Sequence, residues 1–141
     1  MIANRISTIV LISVLGYLMF VGSAMGFNLF SKPDVPLMTK EDLKTRLSAP
    51  NQTIIDLRKA KGTDGRGLTI LGSVREKATD VEKWTDKYDK GQTLILVCGC
   101  KEDKLSIVIG QKLMQKGFKK VFALKGGWKE WLQAGFPTEL K

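Results

Sequence analysis

TLILVCGCKEDKLSIVIGQKLMQKG, residues 93–117, holds a strand, a cysteine, a polar loop and a helix in that order. TLILVC (93–98) is an uninterrupted apolar run, the pattern of a strand buried on both faces in a parallel sheet. GCKED follows as a loop, and LSIVIGQKLMQKG (105–117) reads as a helix with Ile109 and Leu113 turned inward and Gly117 as its stop. The pattern then repeats: a strand is expected at 120–124, a turn at Gly126–Gly127, and an amphipathic helix carrying Trp128, Trp131 and Leu132 before Gly135 and Pro137. Strand, helix, strand, helix implies an α/β domain: a small, mainly parallel sheet flanked by helices, with right-handed crossovers.

Upstream, TIIDLR (53–58) reads as another buried strand, KGTDGRG (61–67) as a loop, and LTILGSV as a short strand and turn. DVEKWTDKY (80–88) suits a short helix with Val81 and Trp84 on one face. Thr39, with Asp42 three positions on, opens a helix bearing Leu43 and Leu47. The two prolines of SKPDVP mark residues 31–37 as a linker, leaving 38–141 as the folded domain.

The first thirty residues differ in kind. Arg5 is their only charge, and ISTIVLISVLGYLMFVGSAMGFNLF (6–30) has none. As a helix it would extend about 37 Å, enough to cross a bilayer core. Gly22, Ser23, Ala24 and Gly26 also supply the small residues of a signal-peptide cleavage site, so 1–30 is either a transmembrane anchor or a signal peptide. Phe27, Leu29 and Phe30 prolong the apolar run and favour the anchor. Lys32, Lys40, Lys44 and Arg46 would by a positive-inside count hold the domain in the cytoplasm. The order of one basic residue, apolar core and small residues is instead that of an export signal. The expectation is a membrane-anchored or exported domain on the extracytoplasmic side of a bacterial-type inner membrane.

At 141 residues and 43% hydrophobic content, the chain has material for one modest core. The absence of histidine removes every imidazole-based mechanism and the histidine-ligated metal sites, and two cysteines cannot form a tetrathiolate, so neither metal nor cofactor is expected. A net charge of +9 suits an anionic membrane surface or small anionic substrates. No Arg-rich reading helix or basic-aromatic platform points to nucleic acid. Lys119, Lys120 and Lys125 read as solvated surface, and the three tryptophans as packing.

Cys98 and Cys100 are one residue apart, too close to staple distant segments. Ligands of open α/β sheets bind beyond the carboxyl ends of strands, where Cys98 stands facing the next helix. Loop amides, the helix dipole, Lys101 and Lys104 all favour an anion there, so Cys98 is expected as a low-pKa nucleophile and Gly99–Lys104 as an anion cradle.

These residues resemble the rhodanese-like sulfurtransferases over roughly 38–137. The resemblance rests on IIDLR (54–58), ILGSVR (70–75), LILVC (94–98) and, above all, KGFKKVFALKGGWKEWLQAGFP (116–137). In the last, Gly117, Phe118, Val121, Leu124, Gly126, Gly127, Trp131, Gly135 and Pro137 fall at the family's spacing. The resemblance implies a persulfide cycle with Cys98 as sulfur carrier between a small anionic sulfur donor and a thiol acceptor. It makes Asp56 and Arg58 supports of the active-site loop. That loop would comprise Gly99, Cys100, Lys101, Glu102, Asp103, Lys104 and Ser106.

The family's loop runs about five residues from Cys to an Arg and then a Ser. Here no Arg lies between Cys98 and Ser106, which suggests an extended loop like that of a membrane-associated Cys-x-Cys subgroup, with lysines in place of a bidentate guanidinium. Ser106 itself is either a first-turn polar residue or a hydrogen-bond donor to the Cys98 anion. Cys100 is either a small loop residue or a partner able to displace sulfide from a Cys98 persulfide and leave a strained, labile disulfide. Two rival functions follow: a catalytically inactive binding module at the membrane, motivated by the missing Arg, and a thiol-disulfide redox protein using the Cys pair. A phosphatase is disfavoured, because it too would want an Arg for its oxyanion.

Overall fold

The computed structural model describes residues 31–59 and 67–141. The expected anchor or signal segment and most of the KGTDGRG loop lie outside them. Among the described residues no helix is long and apolar enough to cross a membrane.

The elements run β1 (Leu37–Met38), α1 (Lys40–Thr45), β2 (Gln52–Asp56), β3 (Leu68–Ile70), β4 (Val74–Arg75), α2 (Val81–Trp84, with a 3₁₀ turn on either side), β5 (Thr93–Val97), α3 (Lys104–Gln115), β6 (Lys120–Leu124), α4 (Gly127–Gln133) and β7 (Thr138–Leu140). Five strands make one sheet in the order β1-β6-β5-β2-β4, every pairing parallel. The α/β expectation with a mainly parallel sheet therefore holds. β3 and β7 form a separate antiparallel pair, Leu68 opposite Leu140, which the sequence reading did not contain.

β5 lies at the centre, and both its faces are covered, which is why TLILV lacks polar alternation. Leu94 and Leu96 face Trp84, Ile109, Leu113 and Phe118 on the side of α2 and α3. Ile95 and Val97 face Leu43, Ile70, Trp128 and Trp131 on the side of α1 and α4. Each such fully buried aliphatic contributes about 1.5–3 kcal/mol of burial free energy. Thr39 caps α1 as expected, its hydroxyl accepting from the Asp42 N–H at 3.1 Å.

The segment expected as a linker is partly structural. Val35 is buried, the Pro36 carbonyl accepts from the Ala123 N–H at 3.0 Å, and Leu37–Met38 add an edge strand to β6. Gly110 on α3 makes room for Val35, whose Cγ1 lies 2.9 Å from where a Cβ would stand.

Candidate functional site

The sheet's carboxyl edge brings the ends of β2 and β5 together. Asp56 pairs in register with Val97, and the Leu57 N–H donates to the Val97 carbonyl at 2.8 Å. Leu57 and Cys98 thus leave adjacent strands at the same level, with Arg58 one residue beyond.

Cys98 is buried and Cys100 exposed, and their sulfurs are joined in a disulfide across a Cα–Cα separation of 5.6 Å. A disulfide between the two was one of the alternatives their spacing left open, and the thiolate expected at Cys98 requires the pair to be reduced. The amide expected to serve Cys98 serves its neighbour, since the Leu105 N–H in the first turn of α3 points at Cys100 Sγ, 3.3 Å away. The loop holds its shape through backbone contacts to the Gly126–Gly127 turn. The Trp128 N–H donates to the Cys98 carbonyl at 2.9 Å, and the Gly126 N–H donates to Asp103 Oδ2 at 2.9 Å.

The loop is not extended. β5 ends at Val97 and α3 begins at Lys104, so the connection is Cys98–Asp103 and the fifth residue after Cys98 is Asp103. An acid therefore occupies the position where the family pattern has Arg. Ser106 lies inside α3, buried, with no hydrogen-bond partner for its Oγ. Ser106 was a poor landmark because the helix starts earlier than its apolar pattern: Glu102 (φ 56°) and Asp103 (φ 53°) turn the chain left-handed into Lys104.

The anion cradle is correspondingly weak. Lys101 and Lys104 are exposed, Lys104 pairs with Glu102 at 3.0 Å on the surface, and Glu102 and Asp103 balance the two lysine charges. Gly99 is exposed beside them. Two hollows on the surface, one bounded by Leu37, Asp42 and Phe122 and the other by Arg75, Lys77 and Lys83, contain no residue of the Cys loop.

Asp103 is buried, with Oδ1 unpartnered. Burial raises its carboxyl above the ordinary value of 3.8, the Gly126 N–H opposes this, and the charge of Glu130 adds to the rise. The folded state therefore holds this proton more tightly than the unfolded chain. The resulting stability is complete below about pH 3.8 and is lost as pH rises through the folded-state value. Asp103→Asn keeps an acceptor for Gly126 without the charge. Its denaturation midpoint should exceed that of the parent near neutral pH, and the difference should close as pH falls toward about 4.

Asp56 and Arg58 form a buried ion pair at the end of β2. The Arg58 Nε and Nη2 donate to the two Asp56 carboxylate oxygens at 2.9 and 2.7 Å, and the Arg58 backbone N–H adds a third bond at 3.0 Å. Thr69 Oγ1 and Arg75 Nη2 complete the shell of Asp56 at 2.9 and 3.3 Å. Burial pushes the Asp56 carboxyl up, but the Arg58 hydrogen bonds and charge, with Thr69, outweigh it and hold the group below 3.8. The Arg58 guanidinium also lies 3.9 Å over the Trp128 ring and donates to the Leu68 carbonyl at 2.7 Å.

Asp56, Arg58, Trp128 and Cys98 are thus one chain of contacts from β2 to the Cys98–Asp103 loop. Trp128 is more than the packing residue expected: it carries the amide that holds Cys98, next to a glycine at φ 49°. The GGW triplet within the family-like carboxyl half was the available signal.

A family model described as "Rhodanese-like domain" matches residues 39–134. Among curated proteins, the thiosulfate sulfurtransferase GlpE of Glaesserella parasuis is 33% identical over 58 residues, 41% of this chain and 52% of that protein. The chain spans about half the length of this relative. Among solved structures, the rhodanese-like domain of the Alr3790 protein from Anabaena sp. superposes with a TM-score of 0.65 at 27% identity, covering 75% of this chain and 80% of that one. Thiosulfate sulfurtransferase from Pseudomonas aeruginosa shares the fold, with a TM-score of 0.61 at 18% identity, covering 76% of this chain and 20% of the other. A central parallel strand delivering Cys98 to a short loop before α3, and a matching family model over most of the domain, lead to one conclusion: the chain belongs to the rhodanese-like domain family.

Proposed function

We propose that the chain is a sulfurtransferase that carries sulfane sulfur as a persulfide on Cys98. The observation that carries this reading is the position of Cys98 in a rhodanese-like domain, at the carboxyl end of β5 with its carbonyl held by the Trp128 amide. The printed activity of the GlpE relative supports the reaction class. In the loading step the Cys98 thiolate attacks the outer sulfur of a donor R–S–SH. The new S–S bond forms as the donor's S–S bond breaks, and RS⁻ leaves with the electron pair.

Asp103 bears on the donor. A dianion such as thiosulfate gains from a bidentate Arg and is opposed by a carboxylate once that group ionises. A thiol persulfide, with less charge to place, suits this loop better. The apolar stretch 6–30 supports a membrane-tethered or exported location, and partition of the full chain with membranes tests the tether.

The deciding experiment is intact mass of the reduced protein before and after glutathione persulfide or thiosulfate, with Cys98→Ser in parallel. The expected result is Cys98-dependent reaction with the donor, faster with the persulfide and absent in Cys98→Ser, seen as one added sulfur in Cys100→Ser and, in the parent, as one added sulfur or its release as sulfide. A folded, reduced protein that takes sulfur from neither donor, with Cys100→Ser equally inert, would turn the reading to the binding module.

A further inference from the structure

The two sulfurs of the Cys98–Cys100 pair are unequal in ways that assign them different work. Cys98 is 1% exposed, whereas Cys100 is open to solvent. The Leu105 N–H, in the first turn of the twelve-residue α3, is directed at Cys100 Sγ. An amide at that position stabilises negative charge on the Cys100 sulfur, which readies it to attack its neighbour Cys98 and to be released from a mixed disulfide with an external thiol. The pair already lies within bonding reach, and these are the only cysteines of the chain, so no other internal thiol competes.

We propose that Cys100 is a resolving thiol that discharges the Cys98 persulfide as sulfide, and that the sulfur acceptor is in effect a dithiol reductant. This rests on Cys98 acting as the sulfur carrier.

The discharge step balances within the protein. The Cys100 thiolate attacks Cys98 Sγ and forms the Cys98–Cys100 bond as the bond from Cys98 Sγ to the sulfane sulfur breaks. HS⁻ leaves with the electron pair. The sulfane sulfur is reduced by two electrons and the two cysteines are oxidised to the disulfide.

Regeneration has a direction set by exposure. A thiolate of an external dithiol attacks the accessible Cys100 Sγ, the Cys98–Cys100 bond breaks, and its electron pair goes to Cys98. The second thiol of the reductant then attacks its own sulfur in the mixed disulfide, closes to a cyclic disulfide and releases the Cys100 thiolate beside the Leu105 N–H. The net change converts R–S–SH and a dithiol into R–SH, hydrogen sulfide and an oxidised dithiol. A reaction that forms low-molecular-weight or protein persulfides must supply the substrate.

The test uses the full chain, reduced, treated with excess glutathione persulfide and desalted at once. Parent protein should release one equivalent of sulfide without added reductant and end as the internal disulfide. Cys100→Ser should instead retain one sulfur on Cys98 and release sulfide only when dithiothreitol is added. Parent protein that keeps a stable persulfide on either cysteine, while Cys100→Ser also loads, overturns the proposal and leaves the sulfurtransferase reading intact. Failure of both proteins to load defeats both readings.

A second arm is independent of persulfide chemistry. Oxidised parent protein is treated with 2-mercaptoethanol, quenched with acid and mapped by fragmentation across Cys98–Gly99–Cys100. The mixed disulfide is expected on Cys100, and its appearance on Cys98 overturns the assigned polarity.

Discussion

Arg58→Leu is expected to destabilise the domain by about 3–5 kcal/mol, because it leaves the Asp56 carboxylate buried without its principal partner. Against a typical domain stability of about 5–15 kcal/mol, that is a large part of the whole. The same change removes the guanidinium from the Trp128 ring and a hydrogen bond from the Leu68 carbonyl. The pH dependence should identify the cause. In the parent, Asp56 sits below its ordinary value, so its stabilisation is present above about pH 3.8 and is lost as pH falls through the folded-state value. Without Arg58, burial dominates, the carboxyl rises, and this group's contribution should instead fall as pH increases from about 4. Urea denaturation of both proteins across that range measures the sign directly. Asp56→Asn combined with Arg58→Leu should recover part of the loss, because no unpaired charge then remains. A double variant as unstable as Arg58→Leu alone would assign the loss to packing on Trp128.

That network also shows which parts of the molecule were legible in advance. The strands at 53–58, 93–98 and 120–124 announce themselves because residues on both faces of each are buried, so each carries a short run of adjacent apolar residues. The position of Cys98 followed from the same run. β1 and β4, of two residues each, carry too little pattern to read, and the β3–β7 pair exists only because Thr138–Leu140 return beside Leu68–Ile70. The Asp56–Arg58 pair was visible as a local dyad. Its stack on Trp128 was not, since it depends on α4 returning over the end of β2. The loop length was misread for a local reason: two left-handed non-glycine residues end it at Asp103, and sequence alone gives no sign that Glu102 and Asp103 adopt that conformation. The chemical consequence is large, for it moves an acid rather than a lysine into the place of the family's Arg.

Gly127→Ala is expected to damage the Cys loop beyond its cost to the fold. Gly127 has φ 49°, and a methyl group there would overlap the carbonyl oxygen of Cys98 and approach Asp103 Oδ1 to 3.3 Å. The obstacle is backbone, so relief requires the Cys98 peptide to move, and the Trp128 N–H bond that holds it is then lost or lengthened. Gly135→Ala provides the control. Gly135 has φ 64°, but nothing lies within 4 Å of its would-be Cβ. Its substitution should cost only the left-handed strain, about 1–2 kcal/mol. Gly127→Ala bears that strain plus the displacement, and about 2–4 kcal/mol in total is expected. The informative quantity is reactivity under conditions where both variants remain folded. Sulfur uptake at Cys98 should fall at least about tenfold in Gly127→Ala, equivalent to misplacing the nucleophile by about 1.4 kcal/mol of barrier, and should be nearly unchanged in Gly135→Ala. Equal uptake in the two folded variants would mean that the amide of Trp128 and the close approach of Gly127 shape the fold without positioning the sulfur.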